Sequence, residues 1–132
     1  MGDEFIEAYG CNLEEAFESA GMALVDTMID IEKVDEKIEE SMKVDGWDLK
    51  NLLYNWLEEL LIKVTSEGKV YSSFNVKIDE KDGSYELEAI VKGEDLNVKK
   101  HKPKTEVKAV TYHQMDIKSD SGGVTLRFLL DL

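Results

Sequence analysis

The sequence predicts an α+β, two-layer domain in which two amphipathic helices cover about six mostly antiparallel strands. Two segments in the first half carry apolar residues at helical spacing, whereas the second half alternates apolar and polar residues with the period of a β-strand. Short turns join the alternating segments, which indicates antiparallel neighbours. With 132 residues, 42% of them apolar, the chain has the size and composition of a single domain over residues 1–132.

The first strand and the first helix follow each other closely. Residues Glu4 to Tyr9 form the predicted strand, and Gly10 closes it. Asn12 with Glu15 three residues later is typical of a capping box at a helix N-terminus. Apolar residues at helical spacing then extend the helix from Leu13 to about Met28.

The next two segments differ in how clearly they are patterned. Residues Lys33 to Val44 fit either a helix, since three apolar residues sit four apart, or a strand, since three also share one strand face; we expect a strand. Asp48 caps a second helix that runs to about Val64. Its leucines and aromatic residues form a wide apolar face, which is typical of core packing rather than of a cofactor site.

The remaining segments alternate with period two. Val70 to Ile78 and Tyr85 to Val91 form a hairpin around the turn Lys81-Asp82-Gly83-Ser84. A polar loop is expected from Gly93 to Thr105. A long strand follows, and Ser121-Gly122-Gly123 turns it into the last strand, Val124 to Leu132. One face of the long strand is predicted to carry Val107, Ala109, Thr111, His113, Met115 and Ile117.

The charge and the cysteine content restrict the classes of function. A formal net charge of −13 opposes direct binding of nucleic acid phosphates and favours a cation or a basic protein partner, or simply an acidic soluble surface. The single cysteine, Cys11, forms no intrachain disulfide, as expected in a reducing compartment. Since no apolar run has the length of a membrane span or the form of a signal peptide, we expect a cytoplasmic protein without membrane contact.

Two aspartates at opposite ends of the sequence are the first candidate site. Asp3 starts the first strand and Asp131 finishes the last, so antiparallel pairing of these strands would bring both carboxylates to one sheet edge. Together with the terminal carboxylate of Leu132 they would offer hard oxygen ligands suited to Ca²⁺ or Mg²⁺. The alternative is two surface acids that never meet.

Lys108 and the two histidines are the other candidates. A short turn after the long strand would place Asp131 opposite Val110, with Lys108 diagonal on the same face, although a one-residue slip would turn Lys108 to the other face. The alternative for Lys108 is a solvated strand residue. We interpret His113 as a half-buried structural histidine and His101 as a loop residue.

Motifs of catalysis are missing from the sequence. It contains no glycine-rich phosphate loop, no C-x-x-C pair and no G-x-S-x-G segment. Residue patterns alone therefore indicate an acidic domain with a candidate cation site and no visible reaction.

Five segments of the sequence resemble the archease family. They lie in the family's order and span nearly the whole chain: Asn12-Leu13-Glu14-Glu15-Ala16-Phe17, Leu52 to Leu61 (LLYNWLEELL), Gly93-Glu94, Glu106 to Met115 (EVKAVTYHQM) and Leu130-Asp131-Leu132. The fourth is similar to the family signature E-V-K-A-[VI]-T-[YF]-x-x-M.

The resemblance implies an accessory protein rather than an enzyme. Archeases promote guanylylation and turnover of the RtcB-type, GTP-dependent RNA ligase in tRNA splicing, and a chaperone-like role beside a tRNA methyltransferase has also been proposed for the family. By resemblance, Asp3 and Asp131 would hold a divalent cation with a main-chain oxygen of Leu132. Lys108 is a separate candidate residue for activation of the partner.

The sequence departs from the family pattern near its start. Only Met1 and Gly2 precede Asp3, so the family's histidine before this aspartate is absent, and Phe5 stands where the family often has glycine. Two alternatives follow: either the start of the sequence is trimmed, or this member builds the site with fewer supporting residues. Both concern the affinity for the cation more than the fold.

Overall fold

Six strands in two antiparallel sheets and three α-helices form the structure, a computed structural model that describes residues 2–132. The sheets have the strand orders β1-β6-β5 and β2-β4-β3. The predicted α+β class, with two long amphipathic helices, is confirmed. The elements are β1 (Asp3–Gly10), α1 (Leu13–Met28), a 3-10 turn (Ile31–Lys33), β2 (Ile38–Gly46), α2 (Leu49–Thr65), β3 (Lys69–Lys81), β4 (Ser84–Asp95), α3 (Val98–His101), β5 (Ala109–Asp120) and β6 (Gly123–Asp131).

Helix α1 begins at the predicted capping box. The Asn12 side chain accepts a 2.8 Å hydrogen bond from the Glu15 N–H, and the Glu15 carboxylate accepts one of 3.1 Å from the Cys11 N–H. Gly10 precedes this cap. A Cβ added at Gly10 would lie within 2.8 Å of Ala16 backbone atoms. The glycine therefore lets the chain turn tightly from β1 into α1.

Helix α2 packs against α1 through a close approach at Gly21. Asp48 caps α2 by accepting a 2.7 Å hydrogen bond from the Asn51 N–H. A Cβ at Gly21 would lie 3.1–3.3 Å from side-chain atoms of Leu60, Trp56 and Phe74. Trp56 is fully buried there and donates its indole N–H to the Phe17 carbonyl at 2.9 Å.

The two helices connect the two sheets. Helix α1 contacts β1, β6 and β3, and α2 contacts β2 and β5. The α1 carboxylates also cover the edge of β3, since Glu18 accepts a 2.8 Å hydrogen bond from the Val76 N–H and Glu14 one of 2.9 Å from the Ile78 N–H. These bonds satisfy backbone donors that an exposed edge strand would leave free.

Two connecting segments differ from the prediction. The ambiguous segment before α2 holds the predicted strand, but it begins only at Ile38, after the 3-10 turn. The predicted polar loop from Gly93 to Thr105 is wrong in part, because β4 continues to Asp95 and a one-turn helix occupies Val98–His101. Over the described residues, none of the helices has the length and apolar character needed to cross a membrane.

A bulge interrupts strand β5. The prediction that alternate residues from Val107 to Ile117 share one face of this strand is therefore wrong. Thr111 pairs with Leu129 and Asp116 with Arg127, so β5 holds three more residues than β6 over this stretch. Gln114 has φ 59°, a left-handed conformation that is uncommon for residues other than glycine. Within the bulge Met115 is buried, while His113 is exposed and not half-buried as predicted.

Candidate functional site

Asp3 and Asp131 lie directly opposite each other on strands β1 and β6. The register pairs them as the first and last residues of these strands. The Leu132 N–H donates a 3.0 Å hydrogen bond to the Gly2 carbonyl just beyond, which makes Asp3 and Asp131 the adjacent non-hydrogen-bonded pair. In such a pair the Cα atoms are about 4.5 Å apart and the side chains share one face. The structure thus brings together the two carboxylates that the sequence singled out.

Both carboxylates are exposed at an open corner of the sheet. Asp3, Asp131 and Ala109 form one row across β1, β6 and β5, and only the alanine side chain is partly buried. Two like charges side by side repel each other, so a cation between them is favourable. Water reaches the site freely, which limits the strength of each ionic contact.

The donor atoms fit a hard divalent cation, with few protein ligands. Two carboxylates and a main-chain oxygen of Leu132 are the oxygen ligands that Ca²⁺ and Mg²⁺ take. Among residues 2–132, however, no group of three or more His, Cys, Asp or Glu side chains is placed to hold a metal. A cation held here would therefore keep several water molecules, as Mg²⁺ commonly does.

Lys108 is close to this corner in sequence, but its side chain takes a different side of the sheet. The register places Asp131 opposite Ala109, not opposite Val110 as predicted, so Lys108 alternates to the other face. The prediction was wrong because the β5 bulge shifts the register. The Lys108 backbone N–H donates to the Asp131 carbonyl at 2.8 Å, so its main chain supports the candidate site.

The exposed Lys108 lines a groove between helix α2 and the start of β5. The groove has a volume of about 590 Å³ and contains Glu58, Glu106 and Tyr54 beside apolar side chains. The adjacent Glu58 carboxylate raises the pKa of the Tyr54 hydroxyl. The groove and the aspartate pair are thus two distinct surfaces at one end of the molecule.

The β5 bulge is fixed to helix α2 by aromatic and polar contacts. The Tyr112 ring stacks on Tyr54 with 4.5 Å between ring centroids. Its hydroxyl accepts a 2.6 Å hydrogen bond from the side-chain amide of the buried Asn51. Sequence reasoning missed this arrangement, because three inserted residues leave no periodic signal.

A buried ionic cluster was also missed, and it holds the segment before β5. Glu94 is 6% exposed and His101 is fully buried, with 2.9 Å between Glu94 Oε2 and His101 Nε2. His101 Nδ1 accepts a hydrogen bond from the Asn97 N–H, so the proton on Nε2 faces the carboxylate. His101 is therefore a structural residue of a short helix and not a residue of a loose loop.

The Glu94 carboxylate also accepts hydrogen bonds from other residues. It accepts a 2.8 Å hydrogen bond from the Asp35 N–H, and Lys100 Nζ lies 2.7 Å from it. The pKa of this carboxyl is held far below its usual range. The hydrogen bond from the Asp35 N–H has the largest effect, followed by the hydrogen bonds from Lys100 and His101. The cluster ties β4, α3 and the segment before β2 together.

Comparison with known proteins shows the family of this chain. Residues 1–132 match the Archease protein family (MTH1598/TM1083). The protein archease of Pyrococcus furiosus is 48% identical over 112 residues, which cover 85% of this chain and 79% of that protein. The protein archease of Sulfurisphaera tokodaii is 45% identical over 127 residues, or 96% and 90% of the two chains.

A solved structure agrees with this result. The solution structure of Methanobacterium thermoautotrophicum protein 1598 superposes with a TM-score of 0.82 at 37% identity, covering 99% of each chain. The resemblance drawn from the five sequence segments is thereby confirmed, and the chain belongs to the archease family.

Proposed function

We propose that this protein is an accessory factor in tRNA processing that activates an RtcB-type, GTP-dependent RNA ligase by means of a divalent cation held between Asp3 and Asp131. Membership of the archease family supports the tRNA-processing role. The direct pairing of Asp3 with Asp131 across β1 and β6 is the observation that carries the cation site.

The composition supports an accessory role rather than an independent reaction. The sequence has no glycine-rich phosphate loop, so the nucleotide would be bound by the partner. An acidic surface suits a partner that itself carries positive charge for RNA and GTP.

In this proposal Asp3, Asp131 and a main-chain oxygen of Leu132 hold Mg²⁺ or Ca²⁺ at an exposed corner. When bound, the cation supplies positive charge that can neutralise phosphoryl oxygens of the partner's nucleotide. The chain positions the two carboxylates through the β1–β6 ladder. The Lys108 N–H, bonded to the Asp131 carbonyl, fixes the end of β6 beside them.

A guanylylation assay with the ligase of the same organism tests the proposal. The wild-type chain should accelerate transfer of the guanylyl group from GTP to the ligase, and Asp3→Asn and Asp131→Asn should each lose at least about 90% of this stimulation, a factor of ten or more. Asp79→Asn is the matched control, because Asp79 is also an exposed acid directly opposite another acid, Glu86, in the other sheet.

The results separate the proposal from its alternatives. Full stimulation by both aspartate variants would refute a role for the cation site. Equal losses in Asp79→Asn would indicate that overall negative charge, not the site, matters. Protection of a tRNA methyltransferase from aggregation, measured by light scattering and unaffected by Asp131→Asn, would favour the chaperone-like role instead.

A further inference from the structure

The small side chain of Ala109 completes the row that Asp3 and Asp131 begin. The register places Asp3 on one side of Asp131 and Ala109 on the other, so the three side chains lie on the same face. Directly opposite residues have their Cβ atoms about 4.5–5.5 Å apart. A carboxylate at position 109 would therefore reach a cation held by Asp131, whereas the methyl group of Ala109 offers no ligand and covers little space.

The bulge of β5 is the reason that Ala109 occupies this position. Asp116 pairs with Arg127, and four residues further along both strands an uninterrupted ladder would place Tyr112 opposite Asp131. The three inserted residues of the bulge shift the register, so that Ala109 takes this place instead. Bulges beside functional sites commonly re-aim a side chain. Here the bulge replaces a large aromatic side chain by a methyl group beside the candidate cation site.

The bulge has a conformational cost that contacts with helix α2 offset. Gln114 has φ 59°, a left-handed conformation that costs free energy in a residue with a side chain. The displaced Tyr112 ring stacks on Tyr54, and its hydroxyl accepts a 2.6 Å hydrogen bond from the Asn51 side chain. Strained residues that the surrounding structure holds in place cluster at functional sites. The strain therefore points to a role of the bulge in the site that it borders.

Two carboxylates leave much of the coordination sphere of a cation to other ligands. Mg²⁺ takes about six oxygen ligands, and Ca²⁺ about six to eight. Asp3, Asp131 and a main-chain oxygen of Leu132 would supply about three of them, if each group binds through one oxygen. Ala109 adds none, so the positions on its side are available to water or to an oxygen atom of another molecule. A third carboxylate there would take one position and repel an anionic oxygen.

We propose that the bulge of β5, by placing Ala109 opposite Asp131, keeps the cation site open on this side for a phosphoryl oxygen of the nucleotide bound to the ligase. Ala109 is then a specificity-determining residue, because its small side chain lets the cation be shared with a phosphoryl group instead of being enclosed by carboxylates of the chain. The inference rests on the proposed function, since it concerns the cation between Asp3 and Asp131.

Mn²⁺ binding by the isolated chain tests the geometry, because Mn²⁺ accepts carboxylate and water ligands and accelerates the relaxation of the water protons it binds. Ala109→Asp should bind Mn²⁺ at least about tenfold more tightly, since affinity rises with the number of charged ligands. The water-proton relaxation per bound ion should fall by about one third, because about two water molecules remain instead of about three.

Thr111→Asp is the matched control for the added charge. Thr111 lies on the same face of β5, one row away and opposite Leu129. The Thr111 hydroxyl accepts a hydrogen bond from the His113 N–H, and a carboxylate can accept it as well. This variant should keep the water-proton relaxation of the wild type and bind Mn²⁺ within about threefold of the wild-type affinity, because its carboxylate does not reach the ion.

Guanylylation of the ligase at saturating cation tests the role of the opening. Ala109→Asp and Ala109→Tyr should each lose at least about 90% of the stimulation, a factor of ten. The first adds a competing carboxylate, and the second restores an aromatic side chain opposite Asp131. Ala109→Tyr should keep the Mn²⁺ affinity within about threefold, and Thr111→Asp should keep at least about half of the stimulation. Unfolding curves in chelator identify a variant that does not fold, and the other variant at position 109 then decides.

Each outcome supports or overturns the proposal. Tighter Mn²⁺ binding, fewer bound water molecules and lost stimulation in Ala109→Asp support it. Unchanged Mn²⁺ affinity in this variant, full stimulation by both variants at position 109, or an equal loss of stimulation in Thr111→Asp overturns it. In these cases the proposed function stands if Asp131→Asn still abolishes stimulation. Full stimulation by Asp3→Asn and Asp131→Asn, or a wild-type chain that binds no Mn²⁺, overturns both proposals.

Discussion

The side-chain amide of Asn51 donates a 2.6 Å hydrogen bond to the hydroxyl of Tyr112, and this contact joins the first turn of helix α2 to the bulge of β5. Asn51 is buried, and its oxygen already accepts a hydrogen bond from the Trp47 N–H at 3.2 Å. The residues that cap α2 therefore also hold the bulge, so the irregular part of β5 depends on a helix far away in sequence.

Tyr112→Phe should loosen the bulge at a modest cost. The substitution keeps the ring that stacks on Tyr54 but removes the acceptor of the Asn51 amide, so we expect a loss of about 1 kcal/mol in the free energy of unfolding. Urea denaturation measures the loss, and faster hydrogen exchange at residues 112–115 would locate it. Tyr9→Phe is the control, because the exposed Tyr9 hydroxyl donates a 3.1 Å hydrogen bond to the exposed Glu7 carboxylate; a loss as large in this variant would contradict the interpretation.

The buried Glu94 should make stability depend on acid pH. Hydrogen bonds from the Asp35 N–H, Lys100 and His101 lower the pKa of Glu94 in the folded protein, whereas the unfolded chain has the ordinary value. The unfolded chain therefore takes up the proton first as the pH falls. The stabilisation is complete above about pH 4.3 and is lost progressively below it.

Glu94→Gln tests this dependence. We expect a loss of about 2–3 kcal/mol at neutral pH, because charged hydrogen bonds inside the protein are replaced by weaker ones. The difference from the wild type should shrink as the pH falls below about 4.3, as measured by urea denaturation across a pH series. Glu88→Gln removes an exposed ion pair with Lys43 and should change stability by less than about 1 kcal/mol. A pH-independent loss in Glu94→Gln would exclude the charge as its cause.

Cation binding should be visible as stabilisation without any partner. If Asp3 and Asp131 hold Ca²⁺ or Mg²⁺, saturation to about 100 times the dissociation constant should raise the free energy of unfolding by about 2.7 kcal/mol. Asp131→Asn should lose this gain, and in chelator it should be at least as stable as the wild type, because one of two adjacent like charges is gone. Denaturation with chelator and with added cation measures both effects.

A gain of the same size in Asp131→Asn would place the cation elsewhere on the acidic surface. Asp79→Asn should keep the full gain in the free energy of unfolding, since Asp79 and its acidic neighbour Glu86 lie in the other sheet and not at the Asp3–Asp131 site.

Gly93→Ala should severely destabilise the β2-β4-β3 sheet. A Cβ at this position would overlap the Val70 carbonyl oxygen and lie 2.7 Å from the Tyr71 Cα, beside the irregular pairing of β3 and β4. Backbone atoms cannot move aside as a side chain can, so we expect a loss of at least about 3 kcal/mol, measured by thermal or urea unfolding. Gly122→Ala is the control, since its nearest neighbour is the Asp120 side chain at 3.2 Å; it should lose far less.

Local patterns in the sequence were sufficient to predict the two long helices and most of the strands. The capping residues Asn12 and Asp48 begin the two long helices at the predicted positions, because capping is a contact between residues three apart. The sequence predicts that Asp3 and Asp131 meet only if the first and last strands pair antiparallel, and the structure contains this pairing. The cation itself and the role of Lys108 stay predictions.

Only the tertiary structure decided the register of β5 and which of the two histidines is buried. The three inserted residues at the bulge are stabilised by Asn51 and Tyr54, so no pattern within β5 predicts them, and they determine that Lys108 faces away from Asp131. His101 is buried because it meets Glu94 and the Asn97 N–H in space. The sequence by itself determined which residues repeat on one face of each helix or strand. Packing between distant elements decided where that repeat breaks, because the contacts that stabilise the break come from other parts of the chain.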